Sequence, residues 1–116
     1  MARVAFDVDD TLWKCRYNPR LDQIPDYDLI QVLRWHVLNR DEVYVWSAGG
    51  VDYAQTIMKK LGLDTIVVVI EKEPRQDFID ICYDDEKVDL AKVNIQVYRE
   101  PIDETNLRKK DNLRNS

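Results

Sequence analysis

The residues Val4, Ala5, Phe6, Asp7, Val8 and Asp9 close an apolar strand pattern with two carboxylates one residue apart. Alternate side chains of a β-strand point the same way. Asp7 and Asp9 therefore converge near the carboxyl edge of a sheet, where open α/β folds bind ligands. Like charges that close repel unless a cation lies between them or one carboxyl keeps its proton. The pattern implies either a hard-metal site or a nucleophile beside a general acid. Asp is also a frequent turn residue, and Asp-x-Asp alone is more often a turn than a site. Here Thr11, Leu12 and Trp13 return at once to apolar character, which makes a poor turn and favours chemistry.

Positioning such a pair requires a sheet, and the chain carries five apolar, β-branched runs alternating with helical patterns. That order predicts an α/β fold: one domain with a doubly wound parallel sheet of about five strands, flanked by helices through right-handed crossovers. Strands are expected at residues 4–8, 42–46, 65–70, 78–83 and 93–98. The continuous apolar run at 65–70 reads as a strand buried on both faces. Asp26 or Asp28 can cap a helix reaching about Asn39, with Leu29, Val32, Leu33, His36 and Val37 on one stripe and Trp35 off it. His36, the only histidine, is expected to be a surface or packing residue. A second helix should begin near Val51 or Asp52, turn Ala54, Ile57, Met58 and Leu61 inward, and stop at Gly62. Residues 86–91 have room for one or two helical turns at most.

At 116 residues the chain is expected to form one domain with a real core and no large cap. Residues 1–100 should make the folded core and residues 101–116 a polar tail or helix. A net charge of −5 argues against a large basic nucleic-acid surface, though one phosphate end could still be held through a metal. No apolar run is long enough to span a membrane, and charge interrupts the apolar start too early for a secretory signal. A cytoplasmic location with no membrane partner is the expectation. Cys15 and Cys82 lack metal-ligand spacing and fit reduced thiols.

An apolar strand followed by Asp7-Val8-Asp9-Asp10-Thr11 resembles the first signature of the haloacid dehalogenase (HAD) superfamily. The resemblance implies a Rossmann-like domain of strand order 5-4-1-2-3 that transfers phosphoryl groups through an aspartyl-phosphate with bound magnesium. It asks for three further features, and each has a match in order along residues 1–100. Val43-Tyr44-Val45-Trp46-Ser47 is an apolar strand ending in a hydroxyl. Ser47, with the backbone N–H groups of Ala48 and Gly49 and the helix start beyond, would form a small anion pocket. In isolation the same segment reads as a Ser-Gly turn that caps a helix.

The third feature is a cation before the fourth strand, and Lys72 stands there, with Lys59, Lys60 and Arg75 as competitors. The fourth is an acidic pair after that strand, matched by Asp84 and Asp85. Oxygen-only donors suit magnesium. The resemblance assigns the ion to Asp7, Asp9 through its backbone carbonyl, and Asp84 or Asp85, with Asp84 the favoured direct ligand. Asp80 is expected to face elsewhere.

By the same resemblance Asp7 attacks phosphorus, and Asp9 protonates the leaving oxygen and later deprotonates water. Thr11, Ser47 and Lys72 donate to the equatorial oxygens. The implied activity is a magnesium-dependent phosphomonoester hydrolase. Its rivals are a receiver-like phosphoacceptor signalling domain, a metal-dependent nuclease on the same carboxylates, and a binding domain without turnover. A receiver needs an Asp after the third strand, where this chain has Glu71-Lys72. Without a cap the site should be open, suiting a phosphate on a nucleic-acid end, a nucleotide, a sugar phosphate or a phosphoprotein. Trp13, Arg16, Tyr17 and Arg20 are candidates for a rim that stacks a base or grips a second phosphate, with loop packing as the equal reading for Trp13.

Overall fold

The computed structural model describes residues 1–14 and 24–98. In chain order they form β1 (Arg3–Asp7), β2 (Trp13–Lys14), β3 (Ile24–Pro25), α1 (Tyr27–Leu38), β4 (Glu42–Trp46), α2 (Val51–Leu61), β5 (Val68–Val69), β6 (Ile81–Asp84) and β7 (Val93–Gln96). Five strands make one parallel sheet, ordered β5-β4-β1-β6-β7. The short strands β2 and β3, unforeseen in the sequence, form a separate antiparallel hairpin, so the order in chain numbering differs from 5-4-1-2-3. With the hairpin set aside, β1 is central, the second and third strands lie on one side and the fourth and fifth on the other. The expected tail at 101–116, and Cys15, Arg16, Tyr17 and Arg20, lie outside the described residues. Among the described residues no helix is long and apolar enough to cross a membrane.

Strand alternation divides the core in two. Val4, Phe6, Val43 and Val45 point into one layer, where Leu29, Ile30 and Leu33 of α1 and Ala54, Ile57 and Met58 of α2 cover them. Ala5, Trp46 and Cys82 point the opposite way and are covered by Ile79 and Ala91, from the connections before and after β6. Both helices thus pack on a single face, which corrects the doubly wound expectation. Among the described residues the second face carries no helix, because residues 86–91 are too few to make one and 70–80 run across the sheet as extended turns. Asn94 organises the first of these by accepting the Leu90 and Ala91 N–H groups on its Oδ1 at 2.9 and 3.0 Å.

Element boundaries shift where residues have other work. Helix α1 starts at its cap, with the Asp26 carboxylate accepting from the Leu29 N–H at 3.0 Å. Trp35, off the stripe, is 57% exposed. Helix α2 ends at Gly62, whose φ of +70° is the left-handed closure that a side chain would strain. The expected strand at 65–70 shrinks to Val68–Val69, because the Ile66 N–H turns back onto Leu63 O and β5 pairs only with β4. It is an edge strand with Val68 exposed rather than one buried on both faces. The fourth strand begins at Ile81 rather than residue 78, since the Phe78 and Ile79 N–H groups both close turns onto Arg75 O. Asp80 faces away from the carboxyl edge, accepting the Arg3 N–H at 2.8 Å and pairing with Lys92 at 3.1 Å.

His36 is a packing residue with partners on both ring nitrogens: Nδ1 lies 2.8 Å from Asp41 Oδ2 and Nε2 lies 3.1 Å from the Tyr83 hydroxyl. Asp41 also accepts the Ala2 N–H at 3.0 Å. The His36 hydrogen bond, and then that of Ala2, hold the Asp41 carboxyl down to about 2. A carboxyl with a lowered native value stabilises the fold above its unfolded value of 3.8, and that contribution is lost as pH falls toward 2. Asp41→Asn should therefore lower the melting temperature near neutral pH, by the equivalent of about 1–3 kcal/mol for a charged hydrogen bond. It should also flatten the acid side of the melting profile. Thermal melts from neutral to acidic pH check both, and an equally steep acid limb in the variant would assign that limb to other groups.

Candidate active site

Strands β1, β4 and β6 end side by side, with Asp7 in register with Trp46 and Phe6 in register with Tyr83. Asp7, Ser47 and Asp84 thereby share the carboxyl edge of three neighbouring strands. Alternation sends Asp7 and Asp84 to the side that carries no helix among the described residues, with Ala5 and Cys82. The connection crossing that side supplies Lys72, whose Nζ lies 3.0 Å from Asp7 Oδ1 and 2.7 Å from Asp84 Oδ2. Thr11 Oγ1 donates to Asp7 Oδ2 at 3.2 Å, and the Glu86 N–H donates to Asp84 Oδ1 at 2.9 Å. Of the competing cations, Lys59 and Lys60 are exposed in the last turn of α2, and Arg75 pairs with Glu73 at 2.7 Å.

One oxygen from each of Asp7, Asp84 and Asp85 lies within 4.8 Å of the others. Asp7 and Asp84 are buried and Asp85 half-buried. Burial, reinforced by the charge of Asp84, raises Asp7 to about 7 against the opposing pull of Lys72. Asp85 is raised for the same two reasons, although its hydrogen bond with Asp7 pulls the other way. Burial alone would lower Lys72, but its contacts with Asp84 and Asp7 outweigh that and hold the ammonium charged. One ammonium against three carboxyls leaves negative charge in excess. The donor set is all oxygen and compact, which fits a hard divalent cation such as magnesium. Cys82, beneath the cluster, is pushed up to about 12 by burial and then by Asp84, so it stays a neutral thiol rather than a nucleophile.

The Asp9 carboxylate is not among the three that cluster. Its Oδ1 accepts from Trp13 Nε1 at 3.1 Å and from the Tyr53 hydroxyl. Trp13 is 3% exposed, so it packs the loop and does not serve as a stacking rim. Asp10 takes the left-handed φ of 59° that lets the Thr11, Leu12 and Trp13 N–H groups gather on Val8 O. Ser47 is buried and its Oγ accepts the Gly49 N–H at 3.0 Å. A Cβ on Gly49 would lie 3.0 Å from the Tyr53 ring, so a larger residue there requires the ring to shift.

No protein-family model, characterised protein or solved structure matches this chain. Its chemistry is read from its own residues. The fold brings together Asp7, Thr11, Lys72, Asp84 and Asp85 by direct contact or close approach. Ser47, Ala48 and Gly49 sit at the same edge, after β4, as the loop that opens α2. Tyr53 went unnoticed in the sequence because one aromatic in the first turns of an amphipathic helix reads as packing. Its place one turn beyond the Gly49-Gly50 loop was the available signal.

The raised Asp7 and Asp85 have a consequence for the metal-free protein. The native state keeps a proton that the unfolded chain releases, so stability should fall as pH rises from about 4 toward 7. Asp7→Asn should remove most of that fall, because an amide does not ionise. Urea midpoints measured with EDTA across this range test it; parallel slopes for wild type and variant would mean that Asp7 titrates as in the unfolded chain.

Proposed function

We propose that the protein is a magnesium-dependent phosphomonoester hydrolase of the HAD type that works through an aspartyl-phosphate on Asp7. The observation that supports this most directly is the bridging of Asp7 and Asp84 by Lys72 at the carboxyl ends of two adjacent strands. Asp85 stands beside them and Thr11 is bonded to the second Asp7 oxygen. This is the constellation that the resemblance asks for, assembled from residues far apart in the chain.

In the proposed reaction an Asp7 oxygen attacks phosphorus in line, the bond to the ester oxygen breaks, and Asp9 gives that oxygen a proton. Water then attacks the phosphorus of the aspartyl-phosphate, Asp9 takes its proton, and inorganic phosphate leaves with Asp7 restored. Lys72 and Thr11 orient the attacking carboxylate and donate to the phosphoryl oxygens, where charge spreads in the transition state. Ser47 and the N–H groups of Ala48 and Gly49 offer the remaining donors. Magnesium, held by Asp7, Asp84 and Asp85 with the Asp9 carbonyl, would supply the charge that keeps Asp7 ionised and eases the approach of phosphate. The substrate is a phosphate monoester, on a macromolecule or a small molecule.

A screen of nucleotides, sugar phosphates, phosphopeptides and end-phosphorylated oligonucleotides with magnesium tests the activity, and EDTA should abolish it. Asp7→Asn should leave a folded protein without detectable turnover. Asp9→Asn should slow an alkyl phosphate by about 10²- to 10⁴-fold, the range of general acid–base catalysis. With p-nitrophenyl phosphate, whose leaving group needs no proton, the same variant should show a burst of nitrophenolate and accumulate phospho-Asp7. Cleavage of diesters without a phosphoenzyme would replace this proposal with the nuclease.

A further inference from the structure

We infer that Tyr53 is a positioning residue for Asp9, fixing which of its two oxygens carries the transferred proton. The inference rests on the proposed role of Asp9 as general acid and base, and extends it to a residue outside the expected motifs. Two donors from different elements meet at one oxygen: Trp13 Nε1, from β2, and the Tyr53 hydroxyl, from α2, both donate to Asp9 Oδ1. Neither group comes from the cluster formed by Asp7, Asp84 and Asp85.

The chemistry follows from the donor count. A carboxylic acid has one carbonyl-like oxygen that accepts and one hydroxyl oxygen that bears the proton. Indole N–H is a donor only, and it faces Oδ1 together with the tyrosyl hydroxyl. A proton on Oδ1 would have to point at the tyrosyl oxygen, since the indole N–H cannot accept, so the proton free to transfer travels on Oδ2. The two bonds also restrain the side-chain torsion, so Oδ2 is held in one direction while Asp9 passes from acid to base. Tyr53 also packs closely against the loop after β4, where a Cβ on Gly49 would lie only 3.0 Å from its ring. The loop after β4 and the acid after β1 are thereby joined through one aromatic side chain.

Tyr53→Phe deletes one oxygen and keeps the ring, and Trp13→Phe removes the other donor. Each variant should reduce kcat/KM for an alkyl phosphate by about tenfold to a hundredfold, the cost of losing alignment of a reacting group. Formation of phospho-Asp7 from p-nitrophenyl phosphate, followed by rapid quench, should keep the wild-type rate. Its hydrolysis should slow, giving a burst weaker than that of Asp9→Asn. Magnesium affinity, read by thermal shift, should not move in Tyr53→Phe. Wild-type behaviour of Tyr53→Phe with both substrates, while Asp9→Asn shows its burst, would overturn the inference and leave the role of Asp9 standing. An equal loss in phosphoenzyme formation and hydrolysis would reduce Tyr53 to a structural part. Failure of the wild type to form phospho-Asp7 would end both this inference and the function on which it rests.

Discussion

Burial of Asp7 and Asp84 at neighbouring strand ends is the constraint on which the rest of the site depends. Two carboxyls at the edge of a core are costly unless a charge of opposite sign reaches them. Lys72 does so at 3.0 and 2.7 Å, from a segment that is neither helix nor strand. The connection that crosses the sheet between β5 and β6 delivers it there. Among the described residues that face carries no helix, and the connection bearing the cation lies across it.

The same constraint explains how two adjacent residues of one strand serve opposite ends. In β1, Phe6 stacks on Tyr83 at 4.6 Å in the helix layer, while Asp7 next to it faces Lys72. In β6, Tyr83 reaches His36 and Asp84 reaches Lys72. The aromatic and histidine contacts anchor the strands from one side and leave the other side free for charge. A slip of one residue in register would exchange these roles, setting carboxylates against leucines. The parallel pairing of β1 with both β4 and β6 guards against that slip.

Much of this was legible in the sequence where a short motif carried both structure and chemistry. Asp7, Thr11, Asp84 and Asp85 each sit at or just beyond a strand end, so their place followed once the strands were found. Lys72 stands in the sequence at the expected place, but it is its contacts with Asp7 and Asp84 that set it apart from Lys59, Lys60 and Arg75. The helix bounds at Asp26 and Gly62 were readable from their capping chemistry. What escaped were features set by partners distant in the chain. The run at 65–70 has the composition of a buried strand, but its pairing is limited by its place at the sheet edge. The hairpin of β2 and β3 consists of two residue pairs, too short to leave a periodic trace. Trp13 reads in the sequence equally as a stacking rim or as loop packing, and Tyr53 looks like packing; their polar atoms acquire meaning only beside Asp9.

Lys72 follows shortly after the weakest element of the sheet. Strand β5 has two residues, a single neighbour and an exposed Val68, whereas β1 is paired on both sides. In native-state exchange such an edge opens at a lower free energy than the centre, in its own cooperative unit. The amides of β1 should then exchange only on global unfolding, and those around β5 through small local openings. Negative charge would thus sit at the centre of the sheet, and the ammonium that balances it shortly after its less protected edge. Each brief fraying of that edge would bare the carboxylates while the core stays folded, giving a dissolved cation access to them without a dedicated gate.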